Sequence, residues 1–178
     1  EISECLVGSE MCIRDSIKTA QKVGYDMEVL QAVESVNEKQ KSILFNKLMK
    51  HFNGDINGKT IAIWGLAFKP ETDDMREAPA LVLIDKIISA GASVKVYDPI
   101  AMPECKRRIG DKVVYCKDMY EAVVDVDTLL LVTEWKEFRM PSLEVLNKTM
   151  KNKVIIDGRN IYDAKEMVES GFDYYKIG

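Results

Sequence analysis

Gly65-Leu66-Ala67-Phe68-Lys69-Pro70-Glu71-Thr72-Asp73-Asp74-Met75-Arg76-Glu77-Ala78-Pro79 is the stretch from which the fold can be read. It follows the apolar run Thr60-Ile61-Ala62-Ile63-Trp64, which reads as a buried strand. It precedes the helical pattern of residues 80–91, ALVLIDKIISAG. Pro79 suits the first turn of that helix, and Gly91 suits the position just past its end. The unit is therefore strand, long charged loop, helix. In an open α/β sheet, ligands bind at the carboxyl ends of the strands, and this loop lies at such an end.

The loop is not a dinucleotide fingerprint, because that motif needs three glycines for close backbone approach to a pyrophosphate and only Gly65 is present. It carries cations instead. Lys69 can serve as a mobile point charge on a phosphate or carboxylate. Arg76 can fork onto a phosphate or pair with Asp73, Asp74 or Glu77. A solvated charged loop is the plain alternative.

Working outward toward the C-terminus, a βαβ pattern continues. Residues 92–97, 112–116, 128–132, 153–156 and 173–177 read as further strands, and 119–124, 142–150 and 164–170 as helices. Residues 101–111 read as a loop with a helical turn. Asp98, at the end of the second strand, has two readings: an acid that takes ribose hydroxyls, or a plain Asp-Pro turn. Asp118 is placed to cap the helix that follows it. Trp135 and Phe138 are expected to pack rather than bind. Arg159 reaches the same carboxyl edge as Lys69, where it becomes a second anion contact. Phe68 is expected to pack inward and fix where the chain turns. The expected fold is α/β, an open Rossmann-like, mainly parallel sheet with helices on both faces, preceded by a long helical arm.

Toward the N-terminus, residues 53–58 are turn chemistry. Residues 27–52 read as one long helix with an apolar stripe at Leu30, Val33, Val36, Leu44, Leu48 and Phe52. Residues 17–24 read as the end of a short helix stopped by Gly24. His51, the one histidine, has no cysteine or carboxylate cluster beside it and is expected to be solvated near the helix end.

Four ordered motifs carry a resemblance: residues 65–79; Tyr97-Asp98-Pro99; Thr133-Glu134-Trp135-Lys136-Glu137-Phe138; and Asp157-Gly158-Arg159-Asn160-Ile161-Tyr162-Asp163. Together they resemble the UDP-glucose 6-dehydrogenases of the UDP-glucose/GDP-mannose dehydrogenase family, over roughly residues 17–178. The resemblance implies oxidation of UDP-glucose to UDP-glucuronate with two NAD+, through a cysteine-bound aldehyde and thioester. It implies that Phe68, Lys69 and Arg159 touch the UDP-sugar and that Arg76 touches NAD across a domain cleft. It also implies that helix 27–52 is a central helix forming a homo-oligomer. Sister enzymes acting on UDP-N-acetylmannosamine or GDP-mannose share these features, and a non-catalytic nucleotide-binding or dimerisation module is the other alternative.

The resulting organisation is a non-native-looking tail at 1–16, a helical arm at 17–53 and a UDP-sugar-binding domain at 59–178. The tail, EISECLVGSEMCIRDS, is set aside from the fold reading. Cys12 lies near the family's catalytic thiol but lacks the framing glycines and Phe-Pro, so no catalytic residue is assigned. The NAD-binding domain with that thiol is expected to lie outside this sequence.

The totals bound the rest. With 178 residues, 47% hydrophobic and 30% charged, the chain can bury a real core. A net charge of −4 without basic runs argues against nucleic acid and anionic membrane surfaces. Four cysteines without a paired spacing suggest neither disulfides nor a metal site, and place the expected location in the reducing cytoplasm.

Overall fold

The computed structural model describes residues 10–76 and 78–177. Residues 1–9 of the expected tail, the side chain of Cys12 and Glu77 lie outside that description. The chain divides into two compact units between Ser42 and Ile43.

The first unit contains α1 (Glu10–Lys22) and α2 (Glu28–Gln40). Helix α1 starts inside the segment set aside as a tail, and it is followed as expected by Gly24 at φ 72°. The single helix expected over 27–52 is instead two, α2 and then α3 (Ile43–His51) in the second unit. The break falls at the end of the polar run 37–42. There the amide of Ser42 donates to the Lys39 carbonyl at 3.1 Å, tightening the last turn instead of extending it.

The second unit is built on six parallel strands: β1 (Thr60–Trp64), β2 (Ser93–Tyr97), β3 (Val114–Tyr115), β4 (Thr128–Leu131), β5 (Val154–Asp157) and β6 (Asp173–Lys176). They are ordered β3-β2-β1-β4-β5-β6, and every pairing is parallel. The connecting helices are α4 (Pro79–Ser89), α5 (Met102–Ile109), α6 (Met119–Ala122), α7 (Leu143–Thr149) and α8 (Ala164–Glu169). Helix α5 occupies most of the stretch 101–111, expected as a loop with a helical turn. Its polar, Arg-rich outer face hid a helix anchored by one buried residue, Cys105. No described helix is long and apolar enough to cross a membrane.

Alternation along the strands feeds two cores. On one face, Ile61, Ile63, Val94, Val96, Leu130 and Ile156 meet Leu44 and Leu48 of α3, Leu83 and Ile87 of α4, and Cys105. On the other, Ala62, Trp64, Leu129, Leu131 and Ile155 meet Met119, Ala122, Leu146 and Met167 of α6, α7 and α8. Trp64 stacks on Phe138 with ring centroids 5.1 Å apart, which adds about 1 kcal/mol beyond burial. Trp135 and Phe138 are both buried, as expected.

Register aligns the strand ends. Trp64 pairs with Tyr97 and with Leu131, and Leu131 pairs with Asp157. The segments after β1, β2, β4 and β5 therefore emerge in one row. The strand order reverses between β1 and β4, the place where such sheets open a crevice.

Gly65 is required there. Its φ is 87°, and a Cβ would lie 2.5 Å from the Thr133 Cβ and 2.6 Å from the Thr133 nitrogen. Gly65→Ala is expected to cost at least about 2 kcal/mol, from left-handed strain plus overlap with a neighbouring backbone. Gly171, at φ 86° with open space around it, should cost only about 1 kcal/mol on the same change. Urea unfolding midpoints of the two variants, at unchanged m-value, check the difference.

Candidate functional site at the carboxyl edge

The β1 loop starts buried and ends buried. Leu66, Ala67, Met75 and Ala78 are all in the core. The amide of Phe68 donates to the Asp74 carbonyl at 2.9 Å, closing the loop on itself. Thr133 Oγ1 donates to the Ala67 carbonyl at 2.6 Å, tying the loop to the segment after β4. Phe68 does not pack inward: it is 50% exposed, because the Phe68–Asp74 closure turns it out with the loop apex. Glu71 at the apex has φ 64°.

Asp98 settles as structural. It is fully buried, and its Oδ2 accepts from the Leu66 amide at 2.7 Å, the Ala67 amide at 3.2 Å and Trp135 Nε1 at 3.1 Å. Its Oδ1 accepts from the Ile100 and Ala101 amides at 2.9 and 2.7 Å. These protein donors occupy the oxygens that a ribose would need, so the ribose reading fails. Asp157 repeats the device at the end of β5, accepting from the amides of Arg159, Asn160, Ile161 and Tyr162 and from the Tyr174 hydroxyl. Asp118 caps α6 as expected, accepting from the Tyr120 and Glu121 amides.

The cations divide into committed and free. Arg76 chooses Asp74 among its candidate partners, with Nε at 3.0 Å and Nη2 at 2.9 Å. That hydrogen bonding by Arg76 holds the Asp74 carboxyl below its usual range. Arg159 donates through Nη2 to Glu134 Oε1 at 2.7 Å, and its Nε is ion-paired with Oε2. Burial pushes Glu134 up, but the Arg159 hydrogen bond, a backbone hydrogen bond and the charges of Arg159 and Arg139 together bring the net direction down. Lys136 pairs with Glu71 at 3.2 Å, both exposed. Lys69 is exposed and has no hydrogen bond or ion pair among the described residues. His51 is not simply solvated: Nδ1 lies 2.9 Å from the Tyr175 hydroxyl, with its ring edge-on to Phe52.

Two clefts open along this edge. The larger, about 600 Å³, is lined by Pro70, Glu71, Pro99, Glu134, Trp135, Lys136, Glu137 and Arg139. The smaller, about 430 Å³, is lined by Arg159 and Asn160 together with Glu134 and Arg139. At the rim of the larger, burial and then Glu137 push the Tyr97 hydroxyl up to about 12, so it stays protonated through the neutral range. Arg76 lines a separate cleft with Arg107 and Arg108. The structure thus places Arg159 in the smaller cleft and Lys69 on the loop beside the larger one, and Arg76 apart from both. Among the described residues no three His, Cys, Asp or Glu side chains gather to hold a metal ion. Sequence reasoning missed Glu134 as the partner of Arg159, and it missed Arg139. The signal available was position: both flank the aromatics of the segment after a central strand.

Comparison with known proteins fits this geometry. The profile of the UDP-glucose/GDP-mannose dehydrogenase family, UDP binding domain, matches residues 62–164. A UDP-glucose 6-dehydrogenase of Pseudomonas aeruginosa is 42% identical over 171 residues, which cover 93% of this chain and 38% of the relative. The UDP-glucose 6-dehydrogenase TuaD of Bacillus subtilis is 41% identical over 162 residues, covering 91% of this chain and 35% of the relative. The chain therefore spans well under half the length of either. A UDP-glucose dehydrogenase from the archaeon Pyrobaculum islandicum superposes with a TM-score of 0.80 at 27% identity, covering 94% of this chain and 36% of that structure. With its UDP binding domain matched and its strand ends aligned into one ligand edge, this chain belongs to the UDP-glucose/GDP-mannose dehydrogenase family.

Proposed function

We propose that this chain supplies the UDP-sugar-binding part of a UDP-glucose 6-dehydrogenase, an enzyme that oxidises UDP-glucose to UDP-glucuronate with two NAD+. The observation that carries the reading is Lys69. Without a partner among the described residues, it stands on a loop braced at both ends, at the carboxyl edge beside the topological switch point. A cation held on rigid backbone and left without a carboxylate is prepared for an anionic ligand. Lys69 and Phe68 contact the UDP-sugar, Arg159 joins them from β5, and Arg76 faces NAD. Arg159 and Arg76 must bind through their remaining N–H groups or exchange their carboxylates for the ligand.

The reaction needs groups that this sequence does not display in recognisable form, namely a glycine-rich NAD loop and a framed cysteine. The chain alone is therefore inactive and works in the cytoplasm as part of the larger enzyme. It pairs with a second copy through α2, whose Val29, Val33 and Val36 are 77%, 38% and 53% exposed. A relative of the same fold, the NDP-N-acetyl-D-galactosaminuronic acid dehydrogenase of Methanosarcina mazei, is 26% identical with a TM-score of 0.70.

Calorimetric titration tests Lys69. Lys69→Ala is expected to weaken UDP binding by about 1.5–3 kcal/mol, roughly ten- to a hundredfold. The thermal midpoint should stay in place, because an exposed lysine adds little stability. Unchanged affinity refutes the role. Absorbance at the NADH band should not rise when the chain is mixed with UDP-glucose and NAD+, and a steady rise would contradict the inactive reading. Sedimentation should show dimers at tens of micromolar, roughly the range of modest interfaces. Val33→Glu should return the chain to monomer.

A further inference from the structure

We propose that Arg139 is a further ligand-contacting residue of this site, a guanidinium that takes the phosphates of a nucleoside diphosphate bound at the carboxyl edge. The inference rests on the UDP-sugar reading and extends it to a residue outside the four motifs.

Arg139 sits where its backbone cannot drift. It ends the 3-10 turn Lys136–Phe138, and its amide donates to the Lys136 carbonyl at 3.2 Å. Ahead of that turn, Trp135 is pinned by its indole N–H on Asp98. Immediately before Arg139, Phe138 is fully buried against Trp64, and its carbonyl accepts from the Tyr162 hydroxyl at 2.5 Å. The side chain, by contrast, makes no hydrogen bond or ion pair among the described residues, and its charge reaches Glu134 only through space. A fixed backbone carrying a free guanidinium lowers the ordering cost of gripping an anion.

Its place is equally specific. Arg139 and Glu134 are the two residues that line both clefts of the carboxyl edge. Glu134 already holds Arg159. One carboxylate thus stands beside two guanidiniums: it is ion-paired with Arg159 and meets Arg139 only through space. A nucleoside diphosphate brings about two to three negative charges at neutral pH, by the phosphate ionisation near pH 6. Arg76 is engaged by Asp74 and Arg159 by Glu134, so the charge available without breaking a pair comes from Lys69 and Arg139. Arginine's planar fork suits phosphate oxygens in a way that lysine's point charge does not. The walls of the larger cleft supply the complementary half, with Trp135, Pro70 and Pro99 as surface for a planar base.

The test is titration of UDP, and separately of uridine, into the unaltered chain and into Arg139→Met and Arg139→Lys. Methionine keeps the apolar stem and removes the charge. Arg139→Met should weaken UDP binding by about tenfold or more. It should leave uridine binding and the thermal midpoint unchanged, with Arg139→Lys falling between. UDP affinity in Arg139→Met equal to that of the unaltered chain overturns the assignment. If Lys69→Ala still weakens UDP in the same series, the UDP-sugar reading survives that failure. Equal loss of UDP and uridine also overturns it, because the cleft's shape and not the charge would then be what the residue supplies. An unaltered chain that binds no UDP removes the UDP-sugar reading, and this inference falls with it.

Discussion

A single buried carboxylate organises the functional edge of this protein. Asp98 receives five N–H donors from three separate segments: the loop after β1, the turn after its own strand, and the indole of Trp135 after β4. Placing a carboxylate in a core costs several kcal/mol unless each oxygen is satisfied. Here every partner is a donor, so the penalty is offset only when all three segments are in place together. Asp157 does the same for the segment after β5. The edge is therefore rigid before any ligand arrives.

The same economy governs the surface charges. Arg76 and Arg159 are each held by an adjacent carboxylate, Asp74 and Glu134. Such exposed or half-exposed pairs contribute little to stability, yet they fix the direction of a guanidinium and temper the repulsion among cations gathered at one edge. The cost falls on affinity, since a paired arginine must share or surrender its carboxylate to take an anion. In the proposed site, Lys69 and Arg139, which make no ion pair among the described residues, bear the difference.

The fold was legible because its signals were local. Strand β1 matches its expected span, the helix after Pro79 starts at that proline, and Gly65 marks the turn. What escaped was set by long-range contacts. Asp98 looked equally like a ribose ligand or a turn residue, and only the arrival of Trp135 from 37 positions away decides it. Phe68 looked apolar enough to bury, but the Phe68–Asp74 closure turns it outward. The helix expected over 27–52 breaks at the end of the polar run 37–42, which offers no apolar contact to carry it through. Lys69 and Arg159 stand at strand ends that sequence reveals, whereas the signal for Arg139 is weaker, its position next to a buried aromatic in a turn.

The bracket around Asp98 also has a kinetic side. Its donors come from residues 66–67, 100–101 and 135, so it closes only after β1, β2 and β4 have found their parallel partners. Parallel pairing needs long crossovers and is slow to nucleate. The ligand edge is thus among the last parts of the unit to order. Because they share one acceptor, the amides of Leu66, Ala67 and Ala101 are expected to open to solvent together and not loop by loop.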